Sequence, residues 1–192
     1  MSSLLQSIGG RRSHSTVTAH APTHEQLLPL VAASARVADH GALRPWRLIE
    51  LRGDARRRLG DAFVAAAGRV ADENGTGPLP PADTVKLAAK PLCAELLIAV
   101  VASHRESEKV TAWEQDVTAA GVGHALSLLL ADQGWGVMWR TGPFTRSPEV
   151  HRLHGLSDFE QLLGWLYVGG IPALSKLRVS VPIEPADHLT VL

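Results

Sequence analysis

The sequence contains only one cysteine, one tyrosine and three phenylalanines in 192 residues. A single cysteine, Cys93, excludes an internal disulfide framework and favours a reducing compartment. Because Cys93 lies in the apolar stretch 91–101, we expect its thiol to be buried and inert. No apolar run approaches the ~20 residues that span a bilayer, and no charged region precedes the short apolar segment at the start of the chain. We therefore expect a cytoplasmic protein that makes no membrane contact.

The chain also lacks an excess of charge of either sign. Nineteen basic and nineteen acidic residues give a formal net charge of zero. No long-range field therefore attracts nucleic acid or anionic lipid, and we predict no nucleic-acid partner.

Common enzyme signatures are absent, including the G-x-S-x-G elbow and the Walker A sequence. Gly121 and Gly123 match part of a dinucleotide fingerprint, but they fall inside a helical pattern, where close helix packing explains them better. His151 and His154 share a predicted helix without acidic or cysteine ligands beside them, so we predict no metal site. Trp113, at the start of the longest predicted helix, is expected to pack in the core.

The patterning predicts one α+β domain over residues 1–192. Apolar residues at helical spacing predict helices over 2–8, 23–36, 54–71, 82–90, 110–133 and 147–155. Short apolar runs predict strands over 46–51, 96–102, 135–139 and 162–168. The remaining segment, about 171–192, is too apolar for a disordered tail, and we expect it to form an extended arm against this chain or a partner.

Two short basic segments and one loop histidine are candidates for ligand binding. Arg11, Arg12 and Ser13 follow a Gly-Gly break, and arginine forks with a serine hydroxyl suit phosphate oxygens. Arg140, Thr141 and Gly142 follow a buried strand in a turn that suits a flat, charged cofactor. His40 lies in a loop between a helix and a strand, where functional residues are common. Each feature can also be explained without a ligand, as an exposed turn or a solvated side chain.

Four segments in this order and spacing resemble the short bacterial NAD(P)H nitroreductases of the nitroreductase family. They are residues 11–13 (RRS), 39–46 (DHGALRPW), 113–115 (WEQ) and 134–142 (GWGVMWRTG). The resemblance covers the chain from residue 5 to about residue 185. It implies a nitroreductase-like α+β fold with a mixed, mainly antiparallel sheet flanked by helices. It also implies an obligate homodimer that completes the domain and binds two FMN molecules at its interface.

The resemblance further implies the residues of the site. Arg11, Arg12 and Ser13 would approach FMN from one subunit, and Trp139, Arg140 and Thr141 would complete that side. Arg36 and His40 would reach the same FMN from the partner. A nicotinamide-nucleotide contact would be formed by Leu129, Leu130, Ala131, Asp132, Gln133 and Gly134.

The chain departs from the family pattern in the loop around His40. Val37 and Ala38 replace a common Ala-Pro pair, and Arg44 replaces the usual glutamine before Pro-Trp. In relatives that glutamine lies near the flavin edge, so Arg44 is expected to alter the flavin potential or the substrate preference.

The function implied is that of an FMN-dependent oxidoreductase. Hydride would pass from NAD(P)H to the flavin and then to a nitroaromatic or quinone-like acceptor by a ping-pong mechanism. The cofactor brings the redox chemistry, which explains why the sequence shows no catalytic triad, and no side chain is assigned as a catalytic acid or base. Two alternatives remain open at this point: an FMN-binding storage or sensing protein with little turnover, and a structural dimer with a degraded site.

Overall fold

The computed structural model describes residues 4–174 and 182–192. The described chain contains six α-helices and one four-stranded sheet. The helices are α1 (Leu4–Gly10), α2 (His24–Ser34), α3 (Asp54–Glu73), α4 (Pro81–Ala89), α5 (Ala112–Asp132) and α6 (Pro148–His154). The strands are β1 (Trp46–Leu51), β2 (Leu96–Ser103), β3 (Trp135–Arg140) and β4 (Glu160–Gly170). The α+β class is therefore confirmed, and every predicted helix and strand has a counterpart.

The sheet has the order β1-β2-β4-β3, with β2 and β4 in the centre and β3 at one edge. All pairs among the described strands are antiparallel, where the sequence predicted a mixed, mainly antiparallel sheet. All eight residues of β2 are buried, as expected for a continuous apolar run covered on both faces. The register between β2 and β4 shifts between Val100 and Val101, and this irregularity lies beside the end of β3.

Helices cover both faces of the sheet, so the core has two parts. On one face, α3 and α6 pack through Leu59, Phe63 and Val150 against alternate residues of β2 and β4. On the other, α5 packs through Leu126 and Leu130 against the opposite set and against β3. We call these the α3 face and the α5 face. Because side chains alternate along a strand, neighbouring residues of β3 point into different layers.

Local signals set the helix ends. Thr23 and Gln26 form the predicted capping box at the start of α2. The backbone nitrogen of Gln26 donates to Thr23 Oγ1 at 3.3 Å, and the backbone nitrogen of Thr23 donates to Gln26 Oε1 at 2.8 Å. Gly134, with φ of 82°, lies between α5 and β3, in a conformation that glycine adopts at little cost. The predicted change from the long helix to the Trp135 strand is confirmed.

Two predictions of burial were wrong. Cys93 is exposed, because β2 begins only at Leu96 and the thiol lies in a 3-10 turn, where Sγ donates to the Lys90 carbonyl at 3.1 Å. Trp113 is 66% exposed, because it lies on the side of α5 opposite the buried Gln115 and Thr118.

The predicted arm over 171–192 lies partly outside the described residues, which omit 175–181. In the described part, Pro185–His188 form a 3-10 turn, and several apolar residues are exposed: Leu174, Ile183, Leu189, Val191 and Leu192. The arm and the single-domain boundary therefore stay predictions. None of the described helices has the length and apolar composition needed to cross a bilayer.

Candidate functional site

The end of β3 brings side chains to both faces of the sheet. Trp139 packs with the α5 cluster, whereas Arg140 lies over the Tyr167 ring on the α3 face. Thr141 and Gly142 follow in an exposed turn. The strand end therefore connects the two layers at one edge of the molecule.

Two glycines hold Trp139 in place. A Cβ at Gly123 of α5 would lie 2.7 Å from the Trp139 ring, and a Cβ at Gly164 of β4 would lie 2.5 Å from Trp139 Nε1. The predicted packing role of Gly123 is thus confirmed. Gly164 also has φ of +147° beside the register shift in β4, so it needs glycine for backbone conformation as well as for space.

Arg140 and Tyr167 form a stacked pair on the α3 face. The guanidinium carbon is 4.6 Å from the centre of the Tyr167 ring, within the range of a cation–π interaction. Arg140 Nη2 donates to the Ser15 carbonyl at 3.3 Å, which joins the end of β3 to the N-terminal segment. Arg140 Nε is buried without a hydrogen-bond partner among the described residues.

A cavity of about 540 Å³ opens beside this pair, and we call it the β3-end cavity. Its aromatic wall consists of Phe63, Phe144, Trp165 and Tyr167, and its remaining lining is Leu87, Lys90 and residues 138–143. Lys90 Nζ lies 5.7 Å from the centre of the Phe144 ring. Sequence reasoning missed Lys90 and Tyr167, because Lys90 follows α4 and Tyr167 lies within β4, and neither carries a motif that links it to β3.

The N-terminal basic segment lies against the edge of β3. The amide of His14 donates to the Val137 carbonyl at 3.0 Å. Arg12 Nη1 donates to the carbonyls of Gly9 and Arg11, each at 2.8 Å, and thereby satisfies free carbonyls at the end of α1. Arg11 Nη1 donates to Ser13 Oγ at 3.3 Å. The three predicted residues are together, but Arg12 already uses one nitrogen on its own backbone.

Two smaller cavities, of about 220 and 280 Å³, adjoin Arg11 and Arg12 on the α5 face. We call them the N-terminal cavities. The first is also lined by His124, Ser127, Val137 and Trp139. Since Trp139 lines this cavity and the β3-end cavity, the basic segment and the strand end are neighbours that share one indole.

The six residues predicted to contact nicotinamide occupy the end of α5 and the turn into β3. Ala131 lines both N-terminal cavities, and Asp132 Oδ1 accepts a hydrogen bond from Ser7 Oγ at 2.8 Å. Leu130 is fully buried, so its side chain serves the core. Gln133 and Gly134 are exposed at the turn, and Leu129 is half-buried.

Arg36 and His40 do not line any of these three cavities within one chain. Both are exposed, and His40 Nδ1 is 3.2 Å from Glu114 Oε1 in the first turn of α5. Hydrogen bonds from Thr111 and His40 lower the pKa of Glu114. Glu114 and Ser127 are thirteen residues apart on α5, about 20 Å along the axis. The structure therefore does not bring His40 to the N-terminal cavities of its own chain.

Histidines and acids do not form a metal centre in the part of the chain that the structure describes, where no group of three or more such ligands occurs. His154 is buried at the end of α6, where Nδ1 lies 2.8 Å from the Val150 carbonyl and Nε2 accepts from Trp165 Nε1 at 3.1 Å. Burial lowers the pKa of His154, so the ring is held neutral beside the aromatic wall of the β3-end cavity.

The donor set of the β3-end cavity fits a flavin ring. Trp139 Nε1 and Arg140 Nε are buried N–H groups without partners among residues 4–174 and 182–192, and the lining includes no carboxylate. Buried donors without partners are costly. A flat ligand with carbonyl and ring-nitrogen acceptors would satisfy them between aromatic walls.

Comparison with protein families gives one match that spans most of the chain. The model described as "Nitroreductase family" matches residues 8–170. Among individual proteins, the Escherichia coli K12 protein named "Putative NAD(P)H nitroreductase YdjA" is 31% identical over 186 residues, covering 97% of each chain.

Solved structures share the fold. A nitroreductase-like family protein from Bacillus cereus superposes with a TM-score of 0.80 at 19% identity, covering 100% of this chain and 97% of that one. A Y88A mutant of the FMN and NADPH-dependent nitroreductase NfnB from "sphigopyxis sp. strain HMH" superposes with a TM-score of 0.76 at 18% identity, covering 100% and 99%. At these identities the likeness establishes the fold alone.

Proposed function

The chain belongs to the nitroreductase family, a family of flavin-dependent oxidoreductases, and from this premise we propose that it is an FMN-dependent NAD(P)H oxidoreductase. Its acceptors would be nitroaromatic or quinone-like compounds. The observation that carries the proposal is the β3-end cavity, where two buried N–H groups have no partner among the described residues and lie beside cationic side chains and an aromatic wall.

Bound FMN would supply the redox chemistry, with hydride passing from NAD(P)H to the flavin and then to the acceptor in a second half-reaction. The protein would contribute binding and electrostatics. Arg140 and Lys90 would favour the negative charge that a reduced flavin carries. Arg11, Arg12 and Ser13 would bind the phosphate through charge-assisted hydrogen bonds, with Trp139 between the two parts of the site.

The proposal specifies FMN and not FAD. The basic segment is compact and suited to one terminal phosphate. Gly121 and Gly123 lie inside helix α5, where Gly123 leaves room for Trp139, so they do not form a dinucleotide fingerprint for an adenosine half. The name of NfnB as FMN and NADPH-dependent is consistent with this choice.

The nicotinamide nucleotide is proposed to contact residues 129–134. This segment adjoins Arg11 and Arg12 through Ala131. The C-terminal end of α5 carries partial negative charge, so the cations of residues 11 and 12 are needed beside it if phosphate groups are to approach.

We further propose that the enzyme is a homodimer in which Arg36 and His40 serve the flavin of the partner. Two observations support this. His40 contacts Glu114, which lies ten residues, or about 15 Å along the axis of α5, before His124, the first residue of α5 that lines an N-terminal cavity. Trp113 and Val117, one turn apart on α5, are 66% and 62% exposed, although large apolar side chains that share a helix face are ordinarily covered. A second chain packed against α5 would bury the side chains of Trp113 and Val117.

The proposed function is tested with the purified full-length protein. An absorbance spectrum and an FMN titration should show one bound flavin per chain, and NADH or NADPH should bleach it. Initial rates at varied nucleotide and acceptor concentrations should give parallel double-reciprocal plots, because both substrates would use the flavin in turn. Intersecting plots would contradict the ping-pong scheme. Bound FMN that neither nucleotide reduces would favour the storage or sensing alternative.

Mixed dimers test the shared site. Arg140→Ala and His40→Ala chains should each lose most activity, because each damages every site of its own dimer. After subunit exchange, the mixed dimer should regain one intact site, and the activity should rise toward a quarter of the wild-type level in a statistical mixture. No recovery after exchange is verified by mass spectrometry would refute the assignment of His40 to the partner's site.

A further inference from the structure

Tyr167 is a buried residue whose hydroxyl has no assigned role. It lies on central strand β4, is 3% exposed, and lines the β3-end cavity. Among the described residues its hydroxyl has no hydrogen-bond partner. The hydroxyl is not among the buried atoms that lack a partner, so it is accessible in the cavity, where a ligand can supply the hydrogen-bond partner that a tyrosine hydroxyl ordinarily has.

The surroundings of the hydroxyl define what that partner must be. Arg140 covers the Tyr167 ring, and its Nε and Trp139 Nε1 are buried without hydrogen-bond partners in the part of the chain that the structure describes. The lining offers several donors and no carboxylate. A ligand that satisfies this set must present acceptor atoms along the edge of a flat body that fits between aromatic side chains.

We propose that the Tyr167 hydroxyl donates a hydrogen bond to an acceptor atom on the edge of the bound flavin ring, and that this bond strengthens FMN binding and raises the flavin reduction potential. The inference rests on the proposed function. The potential rises because a donor stabilises the reduced, more negative ring more than the oxidised one.

The protonation state of Tyr167 agrees with this role. Burial raises the pKa of its hydroxyl, and the nearby Cys93 acts in the same direction, while Arg140 opposes them only in part. The hydroxyl therefore keeps its proton throughout the neutral range and acts as a donor.

Tyr167→Phe is the test, since it removes one oxygen and keeps the ring that packs in the core and under Arg140. In the apo-protein the hydroxyl bonds no described residue, so thermal unfolding of the apo-variant should match that of wild type. FMN affinity should fall about two- to tenfold, which corresponds to one ordinary hydrogen bond, and the flavin midpoint potential should become more negative. Gly68→Ala is the control, because Gly68 lies on α3 outside the cavity lining and nothing lies within 4 Å of its Cβ position.

The outcomes separate the inference from its premise. A wild-type protein that binds no FMN would overturn the proposed function, and this inference with it. Wild type and Tyr167→Phe with equal FMN affinity and equal potential would overturn the inference alone. A variant whose apo-protein loses as much stability as its FMN complex would show that the hydroxyl serves the fold, and would also overturn it.

Discussion

Arg12 and Arg140 line neighbouring cavities that share Trp139, and they differ in how firmly they are held. Arg12 donates through Nη1 to the carbonyls of Gly9 and Arg11, at the end of α1 and just after it. Arg140 lies over the buried Tyr167 ring on a β-strand, donates through Nη2 to the Ser15 carbonyl, and leaves Nε without a partner among the described residues. Each arginine therefore already uses one nitrogen on the backbone, but only Arg140 is held by a strand and a ring.

This difference follows from the supporting structure. Residues 138–140 belong to a strand paired with central β4, and Gly164 lets Trp139 and Arg140 approach β4 closely. Residues 11–13 precede the short contacts of His14 and Thr18 with β3 and β4 and have no strand of their own. Sites on sheet elements are held more precisely than sites on loops.

The first prediction compares the two arginines directly. Arg140→Ala should weaken FMN binding about 10- to 100-fold, because a charge-assisted hydrogen bond contributes roughly 1.5–3 kcal/mol. Arg12→Ala should weaken it about tenfold, since part of its donor capacity serves α1. Fluorescence quenching of FMN measures both, with apo-protein unfolding as the control for folding. The reverse order of losses would show that the phosphate end dominates binding.

The second prediction concerns Gly60, which lies outside the β3-end cavity but positions the part of its lining that contains Leu87 and Lys90. Gly60 of α3 packs against the Ala88 carbonyl of α4, and a Cβ there would overlap this backbone group. Gly60→Ala should destabilise the protein by about 1–3 kcal/mol through overpacking and displace the wall that contains Leu87 and Lys90, weakening FMN binding.

Gly68 provides the matched control, because it lies on the same helix with nothing within 4 Å of its Cβ position. Gly68→Ala should stabilise the fold by up to about 1 kcal/mol and leave FMN affinity unchanged. Chemical denaturation of both variants measures the contrast. Equal effects at the two positions would mean that the approach of α3 to α4 does not shape the cavity.

The third and smallest expected effect is a loss of folding stability at acidic pH. The neutral His154 ring accepts the hydrogen bond of Trp165, which lines the β3-end cavity. Because burial lowers the pKa of His154 below the ordinary histidine value of 6.5, the folded protein binds fewer protons here than the unfolded chain. Stability from this site is present above pH 6.5 and is lost as the pH falls below that value. Arg47 and His151 nearby also lower this pKa.

Carboxylates titrate in a separate, more acidic range. Hydrogen bonds from Arg47 lower the pKa of Glu160 from 4.5 to about 2, so stability from that pair is lost only below about pH 4.5. The free energy of unfolding measured between pH 7 and 5 should therefore report the protonation of His154. His154→Gln should make that free energy depend less on pH. An unchanged slope in that variant would contradict the assignment.

The sequence was sufficient for the elements and for the family, because both depend on local patterns. Helical spacing and the capping box at Thr23 located α2, and the apolar run 96–102 located β2. The segments 11–13, 39–46, 113–115 and 134–142 carried the resemblance that the family match confirms. Residues 11–13 and 139–141 were recognised as candidates for the same reason, although their roles stay proposals.

The tertiary structure decided which residues meet across the sheet. Tyr167 and Lys90 join Arg140 only because β4 pairs with β3 and because α4 packs on α3 through Gly60, and these contacts join positions far apart in the chain. Cys93 is exposed and His154 is buried for the same kind of reason: burial depends on where an element ends relative to its neighbours. Local composition sets which elements form, whereas long-range packing sets which side chains share a cavity.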